Sequence, residues 1–174
     1  MKGWILLVLG LLLSQKIRNY KCARVGLALP PGVAGILGNL AVLFAGKIPV
    51  NLNLTVSKQS MESTLREAEV DFMVSAEKVR KKFPDFPWSK HFIDLGELLA
   101  VEKNRKGTLL FTAIRLFCFP GAVMRKFELN QIGINRKEAV LLFTSGSSSQ
   151  PKGVVLSDQN ILSNCAQMNA LGLF

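Results

Sequence analysis

Residues 144–153 read Thr144-Ser145-Gly146-Ser147-Ser148-Ser149-Gln150-Pro151-Lys152-Gly153, between two apolar runs. Hydroxyls on Thr144, Ser145, Ser147, Ser148 and Ser149 can each donate to an anionic oxygen. Gly146 and Gly153 admit backbone geometries that turn N–H groups toward an anion, and Lys152 adds a point charge. Together these groups could hold a polyphosphate. The order is not that of the common nucleotide loop G-x-x-x-x-G-K-[ST]. Counted from Gly146, Lys152 falls at the expected spacing. Pro151, however, takes the place of the second Gly, and Gly153 replaces the hydroxyl residue that would hold Mg2+. That loop also opens into a helix, whereas Val154 and Val155 favour a strand. Ordinary P-loop NTPase chemistry does not fit. A flexible linker fits worse, since "AVLLF" (139–143) and "VVLS" (154–157) read as buried strands on either side.

No other constellation competes. One His91 supports neither a metal cluster nor a His-based triad. Cys22, Cys118 and Cys165 are odd in number and widely spaced, and read as buried thiols of a reducing compartment. That points to the cytoplasm, with the inner face of the membrane left open. The net charge of +10 over 174 residues favours anionic partners without choosing among them. Nucleic acid is not expected: there is no CxxC…H pairing, aromatic RNP-like strand or long basic helix.

The elements that must carry the loop alternate. "RVGLAL" (24–29) reads as a buried strand. "GVAGILGNLAVLFAG" (32–46) follows as a helix closed by Gly46 at its C′ position, and "IPVNLN" (48–53) as a strand. Strand, helix and strand with short loops make a βαβ unit with parallel strands. Gly32, Gly35 and Gly38 do not form a dinucleotide fingerprint; their spacing suits close approach of helix to sheet. Ser57 should cap a helix to about Ala68 with Met61, Leu65 and Ala68 inward. "DFMVS" (71–75) and "HFIDL" (91–95) read as strands around a short basic helix, "AEKVRKKF" (76–83). The expected class is α/β, a layered parallel sheet with flanking helices.

Two segments are ambiguous. "WILLVLGLLL" (4–13) mimics a signal peptide, but its basic residues follow the run and no small-x-small site comes after it. Ten helical residues span about 15 Å, roughly half a bilayer core. A buried helix over about 3–20, with Leu6, Leu9, Leu13 and Ile17 inward, is preferred to a membrane anchor or a cleaved signal. Residues 103–126 carry six basic residues, no acidic one, and Phe111, Ile114, Phe117 and Phe119 before a Pro120-Gly121 break. They read as a helix-turn-helix excursion. A cationic apolar surface for anionic lipid or an acyl chain stays open.

The loop resembles the phosphate signature of the adenylate-forming (AMP-binding) superfamily, T-S-G-[ST]-[ST]-G-x-P-K-G-V. Ten of eleven positions agree, with Ser149 where Gly is usual. The continuation "VVLSDQNILSN" resembles the family's V-x-x-S-H-x-N, with Asp158 for His. "AGKIPVNLN" is most similar to the synthetase half of bacterial 2-acylglycerophosphoethanolamine acyltransferase/acyl-acyl carrier protein synthetases. The resemblance implies that residues 1–174 are a truncated N-terminal portion of the large adenylation domain, with 103–126 an excursion within it. It implies ATP and Mg2+, a fatty acid, and a thiol acceptor on acyl carrier protein or CoA. Thr144, Ser145, Gly146, Ser147, Ser148, Ser149, Lys152 and Gly153 would bind the ATP phosphates. No catalytic residue and no metal ligand are assigned, because the family's adenine, ribose and C-terminal Lys motifs have no counterpart in these residues. Activity would then require a further downstream polypeptide. The rival reading is a membrane-associated binding protein without catalysis, making peripheral contact through residues 4–13 and 103–126.

Overall fold

Among the described residues five strands run parallel in one sheet: β1 (Arg24–Leu27), β2 (Ile48–Asn51), β3 (Phe72–Ser75), β4 (His91–Asp94) and β5 (Val140–Thr144). Strand β6 (Lys152–Leu156) returns antiparallel at the edge, giving the order β4-β3-β1-β2-β5-β6. The coordinates are a computed structural model describing residues 3–104, 106–126, 137–144 and 151–172. The expected layered α/β sheet is the fold, and the strands near 24–29, 48–53 and 71–75 pair as expected. Pro49 is tolerated because of where its missing N–H would point. Ile48 and Leu52 N–H both donate toward β1, so by alternation the Pro49 nitrogen faces β5. The ladder to β5 pairs Val50 with Leu141, beyond Pro49.

Alternation along the strands feeds two cores. Val25 and Leu27 of β1 join Phe72 and Val74 of β3 on one face. There they meet α1 (Gly3–Arg18), α2 (Val33–Phe44) and Leu95, the first residue of α5 (Leu95–Asn104). Ala28, Val50 and Met73 point the other way. They meet Met61 of α3 (Lys58–Glu67) and the ring cluster Phe86, Trp88 and Phe92 that follows α4 (Glu77–Lys82). Helix α1 is thus a core helix, with Leu9, Leu13 and Ile17 each 1 % exposed and Leu6 packed at the margin. Burying three such side chains is worth roughly 5–8 kcal/mol of transfer free energy, an upper figure. No described helix is long and apolar enough to cross a membrane.

Local signals explain most boundaries. Gly46 follows the α2 cap at φ 74°, the left-handed position expected of it. A Cβ on Gly38 would lie 2.6 Å from Leu29 Cδ1, so close helix–strand approach holds there. Gly32 is instead the α2 N-cap at φ 110° in open space. The Ser57 hydroxyl accepts from Ser60 N–H as the cap of α3. The basic segment folds as α6 (Lys106–Cys118) and α7 (Pro120–Lys126), packed on α1 through Leu116 and Val123 against Leu11. Pro120 opens α7, where its missing N–H costs no bond.

Candidate functional site

The hairpin of β5 and β6 builds the site. Its ladder runs from Val140↔Leu156 to Thr144↔Lys152, so Thr144 and Lys152 face each other at its last rung. Directly opposed residues project from the same face. The Thr144 hydroxyl lies 3.5 Å from the Lys152 carbonyl, a long contact that leaves the hydroxyl available. Of the eight expected phosphate-binding residues, the structure brings Thr144, Lys152 and Gly153 together. Ser145, Gly146, Ser147, Ser148 and Ser149 lie outside the described residues. A strand, not a helix, follows Lys152, in keeping with the mismatch to the common nucleotide loop.

Gly153 also has a packing reason. It sits opposite Phe143, and a Cβ there would touch Phe143 Cε1 and Cζ and Leu141 Cδ1, each at 3.4 Å. The phenyl ring covers the open backbone. At the hairpin's other end, Arg24 Nε donates to Glu138 Oε1 at 2.7 Å and Nη2 to Oε2 at 3.1 Å. This two-pronged pair ties the approach to β5 to the start of β1 and pushes the Arg24 pKa further up, chiefly through the Glu138 hydrogen bond. Beyond β6, Ser157 caps α8 (Asp158–Ala170). Its hydroxyl accepts from Asn160 N–H at 3.1 Å, and its own N–H donates to Asn160 Oδ1 at 3.0 Å. The S-x-x-N of the sequence is therefore a reciprocal cap.

Two concavities flank the hairpin. Because Val50 pairs with Leu141, Thr144, three residues on, is level with Asn53, three residues after Val50. Residues 51–55 at that edge line an apolar cleft of about 1370 Å3 with Leu29, Ile36, Leu40 and Leu43, Val79 and Phe83 of the α4 region, and Ile161 and Cys165 of α8. Asn39 and Asn51 exchange side-chain hydrogen bonds of 3.0 and 3.1 Å in its wall, and Lys78 and Lys82 stand among the lining residues. This is the carboxyl edge of the parallel strands, where open α/β sheets receive ligands. On the other side, a polar groove of about 400 Å3 joins Pro151 to Ser57, Ser60, Ser63 and Arg66 of the α3 region. Arg66 and the cleft residues escaped the sequence reading. Only the position of "NLN" at the end of a strand pointed to that edge.

Several expectations are corrected. Cys118 and Cys165 are exposed and Cys22 is half-buried, so the cysteines are not three buried thiols. Cys118 falls on the outer side of α6, and Cys165 on α8, which has no buried residue. Strand β6 is not buried either: Val154 and Val155 are exposed, because β6 is an edge strand with few neighbours beyond β5. Among the described residues no group of three His, Cys, Asp or Glu could hold a metal ion.

Residues 11–173 match the family described as AMP-binding enzyme. The chain is 25% identical over 162 residues to a 4-hydroxyphenylalkanoate adenylyltransferase of Mycobacterium marinum, covering 90% of this chain and 24% of that protein. It is 24% identical over 162 residues to a long-chain-fatty-acid–CoA ligase of Bacillus subtilis, covering 81% of this chain and 28% of that one. The crystal structure of a fatty acyl-adenylate ligase from L. pneumophila, solved with acyl adenylate and pyrophosphate, superposes with a TM-score of 0.60. It is 22% identical, over 95% of this chain and 26% of that one. The chain thus spans about a quarter of the length of these relatives.

Proposed function

The chain belongs to the AMP-binding enzyme family, and from that premise we propose that it is the phosphate-loop portion of an ATP-dependent acyl-activating ligase. The observation that carries this is the hairpin mouth. Thr144 and Lys152 stand opposed at the ends of a hydroxyl- and glycine-rich connection, beside an apolar cleft on the same edge of the sheet. In the proposed reaction a carboxylate oxygen of a fatty acid attacks the α-phosphorus of ATP. The bond to the bridging oxygen breaks, pyrophosphate leaves, and an acyl-adenylate forms. A thiol on acyl carrier protein or CoA then attacks the acyl carbonyl and AMP departs. Charge accumulates on the leaving pyrophosphate, so donors fixed around it lower the barrier. Thr144, Ser145, Gly146, Ser147, Ser148, Ser149, Lys152 and Gly153 are the proposed cradle, with Arg66 across the polar groove as a further cation. The apolar cleft would take the hydrocarbon chain.

Family members use ATP with Mg2+. The described residues supply no carboxylate set for the ion. Residues 1–174 are proposed as the N-terminal portion of an adenylation domain, with the acyl-acyl carrier protein synthetase type as the closer subgroup on the wording of residues 45–53. Full activity would need the remaining parts of the adenylation domain. The test is to fuse or supply in trans the downstream part of a family member and measure adenylation. Lys152→Ala should lower the rate roughly ten- to a hundredfold, and Ser149→Gly should raise it by restoring backbone freedom. An unchanged rate and ATP affinity in Lys152→Ala would remove the loop from the chemistry.

A further inference from the structure

The outer side of α6 carries a surface that the phosphate site does not use. Leu110, Ile114 and Phe117 recur at i, i+4 and i+7, and Phe111 lies beside them, so the four share one face of the helix. All are exposed, and Phe117 and Phe119 reach 68% and 64%. The inner face of the same helix is separate: Thr112 and Ala113 are buried and Leu116 packs toward α1. Arg115 borders the apolar face with its guanidinium 5.4 Å from the Phe111 ring centroid, and Met124 and Arg125 of α7 are exposed beyond the turn. Across residues 103–126 there are six basic residues and no acidic one.

We propose that this face of α6 and the α6–α7 turn docks on the surface of an anionic lipid bilayer. Apolar side chains on one helical face with cations around them gain both burial in the headgroup boundary and attraction to anionic lipid. A protein partner of matching charge would need acidic groups facing Arg115 and Arg125 and would leave the exposed rings to be packed one by one; a fluid interface covers both without a fitted surface. Thirteen residues make a helix of about 20 Å, suited to lying in the interface plane and too short to span it. The contact should be independent of ATP, because α6 is supported by α1, α5 and α7, whereas Thr144 and Lys152 lie on the β5–β6 hairpin.

The full chain would be centrifuged with phosphatidylcholine vesicles with and without phosphatidylglycerol, in low and high salt and without ATP. Binding should require phosphatidylglycerol and weaken in high salt. The triple variant Phe111→Ser, Ile114→Ser, Phe117→Ser should lose roughly tenfold or more of its partitioning with an unchanged circular dichroism spectrum. Because these side chains are exposed, folding should survive. As a check on the wild-type surface, Phe117→Trp should be quenched by brominated lipid. Equal binding to neutral vesicles, full binding by the triple variant, or no quenching of Trp at 117 would overturn the proposal. So would a concentration-dependent dimer that the triple variant abolishes while vesicles capture nothing.

Discussion

Lys47 carries its ammonium into the turn between α1 and β1, donating to Tyr20 O at 2.6 Å and Cys22 O at 2.7 Å. The residue is 9% exposed; the Tyr20 carbonyl also accepts from Cys22 N–H at 3.0 Å, so the Cys22 carbonyl is the one that relies on the ammonium. Lys47→Met should cost about 1–3 kcal/mol in urea denaturation, because the part-buried Cys22 carbonyl loses its donor and the Tyr20 carbonyl keeps only the Cys22 N–H. Beside it, burial pushes the Cys22 thiol up, Lys47 pulls it partly back and Asp71 pushes it up again. An aromatic-disulfide reagent at neutral pH should therefore titrate Cys118 and Cys165 quickly and Cys22 slowly. The pH consequence follows in sign. With its folded pKa above the ordinary 9.0, the Cys22 contribution is complete below that value and is lost as pH rises through the folded one. Cys22→Ser should flatten the alkaline end of the stability profile; an unchanged profile would show that the thiol contributes nothing there.

Elements rest on caps and ties that can be removed singly. Ser157→Ala deletes the hydroxyl half of the α8 cap and should cost about 1 kcal/mol, seen as lower helicity at moderate temperature. Glu138→Gln keeps the shape of the Arg24 tie but removes its charge, and both side chains are about a quarter exposed. A loss of about 1–2 kcal/mol is expected, with the hairpin amides deprotected in hydrogen exchange before those of β1. At this scale the sequence was most readable. Strand-helix alternation, Gly46, the Ser57 cap and the S-x-x-N of α8 are all written in local residue types. What stayed hidden was relational. The β-branched pair Val154-Val155 marks a strand but not what covers it, and the cysteines count as small apolar residues until α6 and α8 choose which face is outward. The order in which β3 and β2 flank β1 depends on crossovers, which no local pattern records. The loop was singled out by its spacing as a proposed phosphate cradle, while Arg66 in the polar groove and Asn39 in the apolar cleft reach their places only through folding.

For the whole molecule, the sheet and its two cores are formed, yet the chain spans about a quarter of the length of its relatives. The isolated chain should show no fatty-acid-dependent ATP–pyrophosphate exchange, since groups that act as a unit lose most of the rate when several are missing. Robust exchange by residues 1–174 alone would refute the need for the rest of the domain. Exposed Leu142, Val154, Val155 and Leu162 around β5, β6 and α8 should also make the chain associate at high concentration, readable by light scattering. The reversal of direction at β6 has a kinetic side as well. Parallel pairing of β2 with β5 joins residues 50 and 141 and must wait for a long closure, whereas β5 and β6 are neighbours in the chain and can zip locally in about 1–10 μs. The hairpin is therefore a fast-forming unit attached late to a slow-forming sheet. In unfolding the order reverses, and the hairpin should peel away intact while β1, β2 and β3 still hold.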